Sequence, residues 1–199
     1  MFIAALTLAS VGAASLAPSA HRSGPPPAHT GGFGEPTCAI CHIGDDVNAF
    51  GGAARLEGLP AAWVPGASYI LRVVLEAEET VLAGFQLSAR QGGGMLLGDP
   101  AGSLMPTDGR VTVTETDTGH QYAHHTPEGT GVVSPDGSDW LVEWTAPNDG
   151  ESVTFNLAAN SGNGDDSPLL DLVYVFEATV PVDPRVPSGS RPQLRTPRD

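Results

Sequence analysis

The chain contains no lysine. Its nine basic side chains are all arginines, and they face 23 acidic ones, so the 199 residues carry a net charge of -14. Such an acidic surface repels the phosphates of nucleic acids and of anionic lipids, so nucleic acid is not an expected partner. It instead favours encounters with basic proteins and keeps an exported protein soluble.

Long apolar runs are also scarce. The exception is residues 2–17, which are apolar and end in small residues like the hydrophobic region of a signal peptide, although no basic residue precedes them. This run is too short for a comfortable transmembrane helix, and no second one follows. We therefore predict a signal peptide over residues 1–20, no transmembrane anchor, and a periplasmic or extracellular location.

Glycine and proline are plentiful, at 25 and 18 residues, which favours short strands joined by turns over long helices. No stretch has sustained helical periodicity, whereas apolar and polar residues alternate in six runs: 68–76, 82–90, 110–115, 139–145, 152–159 and 169–180. Turn signals such as Asp-Gly at 108–109 separate the runs. The pattern predicts about seven strands in an all-β, immunoglobulin-like antiparallel sandwich.

Composition also divides the chain. Residues 21–36 are rich in proline, glycine and serine and are predicted to be a linker, so that His29 would be a solvated loop residue. The sandwich domain is expected over residues 37–180. The last segment, 181–199, is rich in proline and arginine and is predicted to be a disordered tail.

The two cysteines lie in one motif, Cys38-Ala39-Ile40-Cys41-His42, which is the attachment sequence of haem c. Two thiols three positions apart can each form a thioether to a vinyl group of one porphyrin. The adjacent histidine can then ligate the iron. The motif predicts one covalent haem c, held by Cys38 and Cys41, with His42 as the proximal ligand.

Three other uses of these residues compete with haem attachment. A disulfide would close a strained two-residue loop and would constrain little of the chain. A thioredoxin-like dithiol normally lies in a βαβ setting, which the sequence does not suggest. A zinc or copper site could combine Cys38, Cys41 and His42 with a distant histidine. The adjacent histidine and the export signal favour haem.

A second cluster lies in Gly119 to Thr126, which contains three of the six histidines. In a strand, alternation would place His124 and His125 on opposite faces. A low-spin haem that transfers electrons needs a second axial ligand, either histidine or methionine. The candidates are His125, His124, His120, Met95 and Met105.

The order of several segments over residues 31–180 resembles the choice-of-anchor V domain, a reeler-like bacterial domain: GEPTCAICHIGDDVNAFGG, VPGASYILRVVLE, GFQLSAR, YAHHT, WLVEWTAP, VTFNLAANSGNGD and DLVYVFEATV. The resemblance implies an extracytoplasmic immunoglobulin-like sandwich. The family's aromatic-x-x-His-Thr pattern matches Tyr122 to Thr126, which makes His125 the expected distal iron ligand. The short C-terminal tail does not match the family's surface-attachment devices.

The resulting hypothesis is a monohaem c-type electron carrier whose redox partner and oligomeric state the sequence does not identify. No catalytic constellation is visible, so an enzyme is not predicted. The alternative is a non-redox extracellular binding or adhesion module in which Cys38, Cys41 and His42 hold zinc or stiffen the N-terminus. A third hypothesis, a haem sensor or small peroxidase with an open distal site, requires that His125 does not bind the iron.

Overall fold

The structure, a computed structural model, describes residues 22–185. The predicted signal peptide and residues 186–199 of the predicted tail lie outside this range. The described residues form nine strands: β1 Gly52–Glu57, β2 Ser68–Ala77, β3 Leu82–Gln91, β4 Ser103–Pro106, β5 Val111–Glu115, β6 Gln121–His125, β7 Gly137–Thr145, β8 Ser152–Gly162 and β9 Leu172–Pro181. Their helical content is limited to short 3-10 segments.

The strands form two antiparallel sheets. One has four strands in the order β1-β2-β7-β4, and the other has five in the order β5-β6-β3-β8-β9. The all-β sandwich prediction is confirmed, and each of the six predicted runs forms a strand. Strands β1 and β4 were not predicted, because β1 (GAARLE) has little apolar alternation and β4 (SLMP) has only four residues. The ninth strand, β6, contains the histidine cluster, for which the sequence left a strand open.

The core lies between the two sheets. Leu71 and Val73 of β2 and Leu157 of β8 are fully buried. The Trp144 ring meets the Phe155 ring edge-on, with centroids 4.8 Å apart. Each large apolar side chain removed from water contributes about 1.5–3 kcal/mol, so this layer is the main source of stability.

The predicted linker differs from the prediction, because residues 22–36 lie against the outer face of the five-stranded sheet. The carboxamide of Gln86, on β3, holds this segment: its Oε1 accepts from the His29 backbone N–H (2.6 Å) and its Nε2 donates to the Pro26 carbonyl (2.9 Å). Gln86 and Thr30 are both buried. Buried polar side chains need partners, and the segment supplies them.

A buried ion pair fastens the end of the same segment. Glu35 accepts hydrogen bonds from the Arg90 guanidinium of β3 and from the Tyr122 hydroxyl (2.6 Å) of β6. Both charged side chains are about nine-tenths buried. The ordered unit therefore extends N-terminally beyond residue 37. At its other end, the Asp183 N–H donates to the Trp63 carbonyl (2.7 Å), so order continues past residue 180.

Candidate functional site

The Cys-x-x-Cys-His motif forms a single tight turn. Residues Cys38–Ile40 are a 3-10 helix, and the Thr37 hydroxyl caps it by accepting from the Ala39 N–H (3.2 Å). The His42 N–H then donates to the Cys38 carbonyl (2.9 Å). Both cysteines are free thiols and are not joined in a disulfide. The turn gathers two thiols and an imidazole within five residues.

Backbone hydrogen bonds attach this turn to the loop that leads into β9. The Ile43 N–H donates to the Pro168 carbonyl (2.7 Å), and the Leu170 N–H donates to the Ile43 carbonyl (2.6 Å). Gly44 permits the contact, because a Cβ there would lie 2.0 Å from the Asp171 carbonyl oxygen. The motif is therefore fixed at one end of the five-stranded sheet.

A buried carboxylate orients His42. Its Nδ1 lies 2.5 Å from Oδ2 of Asp171, which is only 4% exposed, and the other oxygen of Asp171 accepts from the Asn163 N–H (3.3 Å). An ionised carboxylate only accepts, so Nδ1 carries the ring proton and Nε2 keeps its lone pair. Metal-binding histidines commonly have this arrangement, in which a carboxylate holds the nitrogen that does not bind the metal.

A cavity of about 460 Å³ opens beside the motif, and the size is in the range of cofactor sites. Its wall includes the predicted attachment residues Cys38, Cys41 and His42 together with His125, which come from distant parts of the sequence. Other apolar residues in the lining are Pro25, Pro26, Ile40, Leu82, Ala83 and Phe85. The structure thus brings the predicted proximal and first-choice distal residues to one cavity.

The sheet beneath the cavity has few side chains. Gly84 pairs with Asn160, and Leu82 pairs with Gly162, so two of these four outward positions are glycines. A Cβ on Gly84 would lie 2.6 Å from Cε1 of His125, so only glycine leaves room for that ring. The Asn160 side-chain oxygen, in the same wall, is buried and has no hydrogen-bond partner among the described residues. This part of the wall therefore combines glycine positions, which leave space, with an unpartnered amide oxygen.

His125 lies where β6 ends, and its ring takes the place of a backbone partner to β3. The Phe85 N–H donates to His125 Nδ1 (3.0 Å), and the Phe85 carbonyl oxygen is 3.3 Å from the same nitrogen. The side chain is buried. His125 is therefore held against the sheet by the backbone of a core residue.

His29 also lines the cavity, although the sequence predicted a solvated loop residue. It is half-buried, and its ring Nδ1 lies 3.1 Å and 3.0 Å from the carbonyl oxygens of Pro26 and Pro27. The covering segment therefore brings a third histidine to this cavity, besides His42 and His125. Composition alone concealed it, because a proline-rich segment without secondary structure can still pack.

The alternative distal histidines are bound elsewhere. His124 has Nδ1 on the His125 carbonyl (2.9 Å) and Nε2 on the Thr114 hydroxyl (2.9 Å). His120 has Nδ1 on the Thr118 hydroxyl (2.8 Å) and Nε2 on a loop carbonyl (3.0 Å). Neither lines the cavity.

The alternative methionine ligands are also away from the site. Met95 is fully exposed in the loop after β3, and Met105 is 56% exposed on β4. Strand β4 belongs to the four-stranded sheet, whereas the cavity lies against the five-stranded one. Neither methionine lines the cavity as the chain is folded here.

The surroundings of the two cysteines bear on the dithiol and zinc alternatives to haem. Burial raises the pKa of the Cys38 thiol to about 12, and the nearby Cys41 adds to the rise. Redox-active dithiols instead need a lowered thiol pKa, so this environment disfavours a thioredoxin-like role. Within residues 22–185, no group of three or more His, Cys, Asp or Glu side chains is arranged to hold a metal ion.

Asp171 is the residue that sequence analysis missed at His42. Its signal was present, because it is a single acidic residue inside the apolar run Leu169 to Val175. A carboxylate in such a run is rarely buried without a partner. The partner is 129 positions away, and no local pattern identifies it.

No helix among residues 22–185 has the length and apolar character to cross a membrane. No model of a protein family matches the chain, and no curated protein does. The likeness to the choice-of-anchor V domain therefore stays a resemblance of motifs.

Solved structures similar to this chain include reeler domains. The human F-spondin reeler domain (fragment 1) is 20% identical, covers 70% of this chain and 95% of its own, and has a TM-score of 0.45. The Reelin-N domain of F-spondin is 18% identical over 73% and 95%, with a TM-score of 0.46. A cohesin module from Clostridium perfringens is 12% identical over 68% and 98%, with a TM-score of 0.43. The strand order and register of the two sheets define the fold of this chain.

Proposed function

We propose that this chain is an exported, monohaem c-type cytochrome-like protein that transfers single electrons. One observation carries the proposal: a single cavity is lined by both thiols of the attachment motif and by His42, whose Nδ1 is held by the buried carboxylate of Asp171. That hydrogen bond leaves Nε2 of His42 available to an iron.

The residues around the cavity fit a covalently attached haem. Cys38 and Cys41 would each add S–H across a vinyl group, so that an S–C bond forms, the thiol hydrogen passes to the other vinyl carbon, and no electron is gained or lost. The apolar side chains of the wall suit a porphyrin face. Arg22 lines the cavity, and its guanidinium donates to Oδ1 of Asp166 (3.3 Å). The same guanidinium would suit a carboxylate side group of the haem at the rim of the cavity.

Haem supplies an iron that cycles between the ferric and ferrous states by one electron. The electron would come from a reduced protein partner and pass to an oxidised one, and the net charge of -14 favours basic partners. Asp171 holds the His42 ring in one tautomer, and the apolar wall limits water. Ile40, which is 61% exposed beside the thiols, leaves this edge of the site open to a partner.

The export part of the proposal rests on the apolar segment 2–17 and on the chemistry of attachment, since haem c is attached outside the cytoplasm. The test is to express the full chain, with its own or a substitute leader, in a bacterium that carries cytochrome c maturation proteins. We expect a purified protein with a Soret band and a pyridine haemochrome spectrum of the c type, with the haem retained after denaturation.

Variants make this test specific. Replacing both Cys38 and Cys41 with alanine should abolish covalent haem, whereas the matched control His120→Ala, a histidine outside the cavity, should leave it unchanged. A colourless wild-type protein from a host that matures a control cytochrome would overturn the proposal. Stoichiometric zinc in that colourless protein would support the alternative, an extracellular binding module with a Cys/His metal site.

A further inference from the structure

Three histidines line the cavity, and their ring nitrogens differ in what they contact. We infer that His29, rather than His125, is the second protein ligand of the haem iron, together with His42. The inference deepens the proposed function and rests on it. It follows from which nitrogen of each ring must carry the proton.

His29 has the tautomer that an iron ligand needs. Its Nδ1 contacts only acceptors, the carbonyl oxygens of Pro26 (3.1 Å) and Pro27 (3.0 Å). A carbonyl never donates, so Nδ1 carries the proton and Nε2 carries the lone pair. Nε2 has no hydrogen-bond partner among the described residues, and His42 is arranged in the same way by Asp171. Both rings thus reach the cavity with a nitrogen able to bind a metal.

His125 has the opposite tautomer. The Phe85 backbone N–H always carries its hydrogen, and it points at His125 Nδ1 over 3.0 Å. The Phe85 carbonyl oxygen lies farther from the same nitrogen, at 3.3 Å. A proton on Nδ1 directed at that oxygen would face the N–H hydrogen and leave the buried Phe85 N–H without its acceptor. Nδ1 therefore holds the lone pair and Nε2 carries the proton, which makes His125 a donor on that side instead of a metal ligand. Its place beside Gly84 suits a side chain that supports the cavity wall.

The backbone around His29 is built to hold the ring in place. Three successive prolines, residues 25–27, precede it, and proline fixes its own φ angle. Ala28 has a positive φ of 67°, which L-residues rarely adopt, and so turns the chain directly before His29. The His29 N–H is bound to the Gln86 side chain. The ring position is therefore set before any ligand binds, and the side chain is not needed to attach the segment.

The experiment compares wild type, His29→Ala, His125→Ala and the control His120→Ala, all matured in the same host. We expect wild type to be low-spin in both oxidation states, and His125→Ala and His120→Ala to stay low-spin. His29→Ala should become high-spin and bind carbon monoxide at least about tenfold faster, because the competing ligand is gone. Two rescues separate ligation from a structural role: added imidazole should restore the low-spin spectrum of His29→Ala, and His29→Met should stay low-spin with a raised reduction potential.

Contrary outcomes are distinct. A low-spin His29→Ala protein, a high-spin His125→Ala protein, or a high-spin wild type would each overturn the inference while leaving the proposed haem intact. A colourless wild type would overturn the proposed function and this inference together. If His29→Ala yields no folded protein, ¹⁵N chemical shifts of the ring nitrogens in the soluble haem-free wild type decide the tautomers, and Nδ1–H on His125 would contradict the argument.

Discussion

The outer faces of the two sheets show opposite ways of handling polar side chains. On the four-stranded sheet, Arg55 pairs with Glu76 and Arg72 with Asp139, each at 2.7 Å and all in contact with solvent. On the five-stranded sheet, the outward polar residues are buried beneath residues 22–36: Gln86, Ser88, Arg90 and Asn156. A polar outward face of a sheet is therefore not always exposed to solvent. Here the covered face is the one that carries the cavity.

The first prediction compares how much an ion pair on each outer face contributes to the free energy of unfolding. Arg90→Ala should destabilise the protein by about 3–5 kcal/mol, because it leaves the buried carboxylate of Glu35 without its cation. The matched control, Arg72→Ala on the exposed face, should leave the urea midpoint unchanged within error, since exposed ion pairs contribute little. Urea unfolding followed by tryptophan fluorescence measures both. Equal shifts of the urea midpoint would mean that the ion pair between Arg90 and Glu35 does not hold residues 22–36 against the sheet.

The second prediction concerns reagent access on the covered side. In the haem-free protein, Cys38 should react with iodoacetamide at pH 8 at least about a hundredfold more slowly than a free cysteine, because its raised pKa leaves almost no thiolate. Mass spectrometry of the peptide that carries the motif gives the rate, and Cys41→Ala isolates the Cys38 signal. The same rate as that of free cysteine would show that the thiol is not desolvated.

The third prediction tests the close approach of His125 to the sheet. Gly84→Ala should cost about 1–3 kcal/mol, because the new Cβ meets the His125 ring. Gly109→Ala, where a Cβ would meet nothing within 4 Å, is the control. If the inference about His29 holds, the haem of Gly84→Ala should remain low-spin. A Gly84→Ala protein as stable as wild type would place the ring elsewhere.

The fourth and smallest effect concerns Asp171. Asp171→Asn keeps the shape of the side chain and removes its charge, so His42 would donate less electron density and the reduction potential should rise. The destabilisation should be about 1–2 kcal/mol, the difference that a charge-assisted hydrogen bond makes. The control is Asp166→Asn, because Asp166 is an exposed carboxylate at the rim of the same cavity and its replacement measures the general effect of losing a negative charge. Equal potential shifts in the two variants would remove the special role of Asp171.

Local patterns in the sequence predicted much of this structure. Alternation along β2, β3, β7 and β8 sets which side chains face the other sheet, because side chains point alternately to the two sides of a strand. The predicted strand positions therefore agree with the structure to within a few residues.

The parts that were not predicted depend on distant partners. The contact between His29 and Gln86 spans 57 positions, and that between His125 and Phe85 spans 40. The low propensity of residues 21–36 for secondary structure predicts a free linker, whereas residues 22–36 pack through side-chain and backbone hydrogen bonds. The tautomer of a histidine likewise depends on its neighbours in space. Resemblance pointed to His125 by position, and only the partners of its ring distinguish it from His29.

The hydrogen bonds that join residues 42–43 to residues 168–171 also bear on the order of biosynthesis. During synthesis, the motif emerges more than a hundred residues before the segment that fixes it, because His42 and Asp171 are 129 positions apart. Until then the turn lacks its partner loop and carboxylate, and closing so long a loop is among the slower steps of folding. The haem attachment proposed above would therefore have its thiols accessible before the motif is fixed to the sheet.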